Sequence, residues 1–254
     1  MVQLPLGEVP DAPAMDRRFK LDILPQPDDA TCGPTCLHAV YRFYGDEVSL
    51  PVLIDEIPPL KTGGTLNVVL ACHALRRGYR ATIYTYNLRV FDPTWFRPGV
   101  DIRERLKQQM LVKTKAKLHT ASEGYREFLS LGGKVLFEDL TPDLIRAHLR
   151  RGRPILTGLS STYLYGCSRE RLEEPVYDDI LGVPMGHFVV LFGMKRGKVL
   201  VADPLQDNPL FGRQHYSVPI QRVINAVMLS IVTYDASLLI IEPVGANDVG
   251  ADRH

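Results

Sequence analysis

The 254-residue chain has no apolar run near the roughly 18 residues that would suggest a membrane span. It has almost no charge excess, +1 from 30 basic and 29 acidic side chains, so no global field recruits nucleic acid or an anionic membrane. Cysteine is scarce, limited to Cys32, Cys36, Cys72 and Cys167. No Cys-x-x-Cys pair occurs. Cys32 and Cys36 could share a helix face, but no His or second Cys pair follows at zinc-finger spacing, and no metal or other cofactor is expected. A cytosolic protein of this size needs no disulfide framework. The first residues, MVQLPLGEVPDAPAMDRRF, lack a basic start followed by an apolar stretch and do not read as a secretory signal. The expectation is an intracellular, cytoplasmic protein without nucleic-acid or membrane partners. Nothing in the chain fixes its oligomeric state.

What remains is a chain long enough for one large domain or for two lobes sharing a cleft. Residues 1–20 are rich in Pro and Asp without periodicity and read as an arm on the surface; residues 244–254 read as a disordered tail. Between them, 21–243 reads as a single domain, helical over about 21–150 and strand-rich over about 151–243. A helix is expected from about Gly33 to Tyr44, with Pro34 at its first position and Gly45 at its stop. A second spans about Thr65 to Arg77 and ends at Gly78. Ala81–Tyr86 alternates as a strand does. Residues 101–118 form an expected amphipathic helix and 122–131 another, followed by a strand at Lys134–Glu138 and a helix opened by Thr141-Pro142-Asp143. Pro154–Leu159, His187–Met194, Lys198–Ala202 and Leu238–Glu242 are expected strands, with one helix around Ile220–Met228. The order predicts an α+β protein with a cleft between the lobes.

The chemistry is concentrated in two motifs. In the first, Gln26-Pro-Asp-Asp-Ala-Thr-Cys32-Gly33-Pro34, a cysteine stands just before a helix. Free backbone N–H groups and the positive end of the helix dipole favour a thiolate there, and the same N–H groups can bind an oxyanion. Gly33 leaves room for a substrate backbone, and Gln26 offers a side-chain amide as a second oxyanion donor. Cys36, Cys72 and Cys167 read as core cysteines. The second motif supplies a base. Of seven histidines, His187 alone opens an apolar strand, after Pro184-Met185-Gly186; that strand turns at Lys195-Arg196-Gly197 and returns to Asp203-Pro204. A three-residue loop with Gly197 left-handed pairs Met194 with Lys198 and sets Asp203 opposite Val189, diagonal to His187 and on its face. A two-residue loop sends the two to opposite faces. Use of His187 and Asp203 together therefore predicts the odd-length loop.

These residues carry a resemblance. Gln26 followed by Cys32-Gly33 at a helix start, Gly186-His187-Phe188-Val189-Val190, and Asp203-Pro204 resemble the papain-like peptidases that remove double-glycine leader peptides from bacteriocins. The resemblance implies a papain-like fold, with a helical N-terminal lobe and an antiparallel β-sheet C-terminal lobe. It also implies a cysteine peptidase with Cys32 as nucleophile, His187 as base, Asp203 as its orienter and Gln26 in the oxyanion hole, cleaving a peptide or isopeptide amide. The chain has neither the membrane segments nor the ATPase that follow such a peptidase in bacteriocin exporters, so leader removal during export is not expected of it. It adds a basic stretch at about 88–133, with Arg103, Arg105, Lys107, Lys113, Lys115 and Lys117. That stretch is a solvated helix face or a rim that selects acidic peptides. An acyltransferase similar to phytochelatin synthase and a non-catalytic peptide-binding module are the rival readings. Degenerate members of the exporter family typically lose the cysteine, which this chain keeps.

Overall fold

A computed structural model describes residues 17–57, 59–60, 63–172 and 176–245. Most of the expected N-terminal arm (1–16) and most of the tail (246–254) lie outside the described residues.

The described residues open with a two-residue strand, β1 (Arg17–Arg18), and their first helix, α1 (Cys32–Phe43), follows a loop. Ten of the residues of α1 are buried, so packing rather than propensity holds it. Gly45 just beyond it takes the left-handed conformation (φ 81°) that a side chain resists. Pro34 is the third helical residue rather than the first, where its missing N–H is still one that the helix could not pair. A short α2 (Leu50–Glu56) precedes α3 (Asn67–Arg76) and β2 (Tyr79–Thr85).

The amphipathic region is divided otherwise than expected: α4 (Ile102–Val112) stops where α5 (Ala116–Ser130) has yet to begin. Lys113 turns to an extended backbone (φ −109°, ψ 130°). Its ammonium folds back to Gln109 Oε1 at 2.6 Å, and its carbonyl accepts from the His119 ring. These side-chain bonds fix a break that the continuous apolar pattern conceals. Then come β3 (Lys134–Leu136), α6 (Pro142–Arg150), capped by Thr141 Oγ1 accepting from Leu144 N–H, β4 (Ile155–Ser160) and α7 (Ser161–Tyr165). The last part comprises β5 (Gly186–Lys195), β6 (Lys198–Ala202), β7 (His215–Pro219), α8 (Ile220–Leu229) and β8 (Ser237–Pro243).

The strands form one sheet in the order β3-β2-β8-β4-β5-β6-β7, with β1 against β5; β2 and β3 run parallel and the other pairs antiparallel. Strands do not segregate by chain half, because β8 draws β2 and β3 into the same sheet. Side chains of one face, among them Phe188 and Val190, pack with Leu37 and Val40 of α1, Leu70 of α3 and Phe128 of α5. The other face, with Val189, Leu191 and Val201, packs on Leu149, Leu164, Val223 and Val227 of α6 to α8. The alternation of β5 between two cores explains its near-continuous apolar run.

The β5–β6 hairpin corrects one expectation. Its loop has two residues, Arg196 (φ 47°) and Gly197 (φ 74°), closed by Lys195 opposite Lys198, so Met194 pairs with Val199 and not with Lys198. Carried onward, that register would put Asp203 on the face away from His187. The register shifts, however, between Leu191 and Gly193: Gly193 faces Leu200 whereas Leu191 faces Val201, leaving Phe192 as the extra residue of a β-bulge. Val190 then faces Ala202, and Asp203 follows beside Val189 on the face of His187.

Candidate active site

Cys32 is the first residue of α1, and its side chain is buried with 6% of its surface exposed. The residue before it, Thr31, could have capped the helix but does not. Its hydroxyl donates to Asp28 O (3.1 Å) and accepts from Asp28 N–H (3.2 Å) instead. With no side chain over the helix start, the backbone N–H groups of Cys32 and Gly33 are not covered by a cap. Gly33 has to be glycine: a Cβ there would stand 2.4 Å from Thr65 Cγ2.

His187 sits at the start of β5 and reaches Asp203, just past the end of β6, with Nε2 2.8 Å from Oδ1. Both are buried, Asp203 completely. The carboxylate is saturated. Oδ1 also accepts from Leu205 N–H (2.9 Å), and Oδ2 accepts from the hydroxyls of Tyr165 (2.8 Å) and Tyr216 (2.6 Å). Burial alone would raise the Asp203 pKa; the charge and hydrogen bond of His187, then Tyr216 and the Leu205 N–H, hold it below the usual carboxylate range. Burial alone would lower the His187 pKa; Asp203 and then the Cys32 side chain outweigh it and raise it to about 10. With Nε2 on Asp203, Nδ1 is the ring nitrogen left for the thiol.

Gln26 belongs to the same neighbourhood, because its backbone N–H donates to Pro204 O (2.9 Å) and so ties the loop before Cys32 to the residue after Asp203. One hydrogen of its side-chain amide goes to Asp28 O (2.9 Å), and the amide carries a second. The structure thus brings Gln26, Cys32, His187 and Asp203 to one place.

Several of the other cysteines and histidines have partners elsewhere in the fold. Cys36 donates to Phe188 O (3.2 Å), and burial pushes its thiol well above the usual range. Cys72 faces Gly124 O. His73 bridges Tyr41 and Glu56, His148 meets Tyr84 OH, and His215 bonds Leu21 O. Among the described residues no group of three His, Cys, Asp or Glu is placed to hold a metal ion, and no helix is long and apolar enough to cross a membrane.

Sequence reasoning missed Tyr165 and Tyr216. The first lies on a five-residue helix and the second on a strand that the pattern did not reveal, so neither carried a local signal.

A cysteine-bearing helix start packed on a mostly antiparallel sheet that presents a His–Asp pair is the α+β, papain-like arrangement of a cysteine peptidase. The model of the Peptidase_C39 like family matches residues 20–226, and the chain belongs to this family. No curated protein matches the chain. Among solved structures, a double-glycine motif protease from an AMS/PCAT transporter, crystallised with the leader peptide, is 14% identical. It covers 89% of this chain and 94% of its own, with a TM-score of 0.43. The peptidase domain of Streptococcus ComA, a bifunctional ABC transporter involved in a quorum-sensing pathway, is also 14% identical, over 88% and 99% of the two chains (TM-score 0.41). A C39-like peptidase from Bacillus anthracis is 16% identical over 87% and 94% of the two chains (TM-score 0.46).

Proposed function

We propose that this peptidase hydrolyses a peptide or isopeptide amide with Cys32 as nucleophile, His187 as base and acid, and Asp203 as the group that orients His187. The observation that carries the reading is the 2.8 Å contact between His187 Nε2 and Asp203 Oδ1, with Cys32 close enough to raise the imidazole's pKa further. His187 Nδ1 takes the thiol proton, and the Cys32 thiolate attacks the carbonyl carbon. The oxyanion is held by the backbone N–H of Cys32 and the side-chain amide of Gln26. On collapse the C–N bond breaks, the imidazolium gives its proton to the leaving amine, and a thioester remains. Water, deprotonated by His187, attacks the thioester, releasing the acid and restoring the thiol.

The substrate belongs to the proposal as well. A peptide is the substrate class that family membership supports, and one of the similar structures holds a leader peptide. The basic residues Arg103, Arg105 and Lys107 of α4 support acidic residues in that peptide. The test is alkylation by iodoacetamide followed by peptide mapping, together with a screen of peptide and isopeptide substrates. Cys32 is expected to be the fast-reacting thiol, and Cys32→Ala is expected to abolish turnover; full turnover in that variant would overturn the reading. Adding an acceptor amine leaves the products of a hydrolase unchanged, whereas transfer to the amine would mark an acyltransferase.

A further inference from the structure

Among the described residues only two acids are buried, Asp203 and Asp235, and the chemistry above uses only the first. Asp235 follows Tyr234, whose backbone is left-handed (φ 74°), and leads into β8. Its carboxyl occupies room made by two glycines. A Cβ on Gly158 of β4 would stand 2.5 Å from Asp235 Cβ, and one on Gly186, the residue before His187, would stand 3.0 Å from Asp235 Oδ2. Phe188 links this spot to the nucleophile. One edge of its ring lies 3.2 Å from the Cβ position of Gly158, and another lies 3.4 Å from that of Gly33, the neighbour of Cys32.

Along this wall buried oxygens lack partners. Asp235 Oδ1, Thr65 Oγ1 and Asn67 Oδ1 have no hydrogen-bond partner among the described residues, and each of the three residues is more than nine-tenths buried. They are neighbours. The Thr65 methyl packs where a Gly33 Cβ would be, and Asn67 Nδ2 donates to Ser237 Oγ (2.8 Å), which donates to Asp235 O (3.3 Å). Buried oxygens without donors are costly and call for a donor. The nearby cations do not supply it: Lys117 and Arg89 both lie over the Tyr234 ring, 5.4 and 5.5 Å from its centroid, and neither forms an ion pair with Asp235. Asp235 lies on the Gly186 and Phe188 face of β5, opposite the His187 imidazole that would protonate the leaving amine. That puts the wall away from the group that would serve the leaving amine, where the acyl portion of the substrate would lie.

We propose that Asp235, with Thr65 and Asn67, forms a specificity pocket for a cationic group on the acyl side of the substrate, an ammonium or a guanidinium. The inference rests on the reading of Cys32 as the peptidase nucleophile. The cation completes the buried carboxylate and gives its hydrogens to the unpartnered oxygens. It comes from a Lys or Arg side chain or from the substrate's own amino terminus.

The test measures the rate at which acyloxymethyl ketones alkylate Cys32 in the full-length protein, normalised to iodoacetamide, which has no cation to recognise. Ac-Arg-Gly and Ac-citrulline-Gly ketones test the side chain; H-Gly-Gly and Ac-Gly-Gly ketones test the amino terminus. The charged member of at least one pair is expected to react on the order of tenfold faster. The preference is expected to fall to within about twofold in Asp235→Asn and to weaken in Asn67→Leu. Equal rates within both pairs, or a preference that survives Asp235→Asn, would overturn the pocket while leaving the peptidase reading intact. Labelling by iodoacetamide but by no ketone would overturn both.

Discussion

His187 Nε2 and Asp203 Oδ1 lie 2.8 Å apart although a two-residue loop joins their strands, and Phe192 bulging from β5 is what makes this possible. Even loop and single bulge together give the pairing that an odd loop alone would give. Deleting Phe192 takes out the extra residue and leaves a regular ladder in which Gly193 still faces Leu200 and Leu191 still faces Val201, so Asp203 stays beside Val189 on the face of His187. Iodoacetamide labelling of Cys32 at neutral pH is therefore expected to survive the deletion. Loss of labelling would show that Phe192 acts through packing, where it is buried against His215, rather than through register.

Asp203 sets the charge state of His187. Asp203→Asn removes the charge that raises the imidazole's pKa and is expected to lower turnover between about a hundred- and ten-thousand-fold. The alkaline limb of the Cys32 alkylation profile is expected to move to lower pH. An unchanged limb would contradict the assignment.

The hydroxyls of Tyr165 and Tyr216 each donate to a buried carboxylate. Tyr165→Phe and Tyr216→Phe are each expected to cost about 1.5–3 kcal/mol of stability, seen as a lower denaturation midpoint. The shorter Tyr216 bond, at 2.6 Å, predicts the larger loss.

The pH dependence of stability separates the two acids. The contribution of His187, raised above its unfolded value, is fully present below about pH 6.5 and is lost as the pH rises through about 10. That of Asp203, depressed, is present above its unfolded value of about 4 and is lost as the pH falls below it. Asp235 is different. Burial pushes its carboxyl up to about 7, tempered by Lys117 and Thr233, so the fold loses stability as the pH rises from about 4 to 7. Asp235→Asn is therefore expected to stabilise the free protein at pH 8, by up to about 4 kcal/mol, and far less at pH 5. Calorimetry at the two pH values checks this.

The sequence disclosed those parts of the fold whose cause is local. Cys32 before Gly33-Pro34, the Thr141 cap and the apolar runs of β5 and β6 each carry their own signal, and the structure places those elements within a residue or two. The bulge at Phe192 had no such signal, because an apolar residue inside an apolar strand looks the same whether paired or extruded. The break at Lys113 was hidden by an amphipathic pattern that continues through it. Tyr165, Tyr216 and Asp235 reach the site only through tertiary packing, from elements too short or too distant in sequence to be read there.

Asp203 accepts four hydrogen bonds, from His187, Leu205, Tyr165 and Tyr216. A carboxylate so fully engaged has no lone pair directed at a migrating proton, and it holds its negative charge through the cycle. In the proposed reaction a single proton is thus in flight during acylation, passing from sulfur to Nδ1 and on to the leaving nitrogen. In mixtures of light and heavy water the acylation rate should fall linearly with deuterium fraction, the mark of one transferring proton rather than a relay of two.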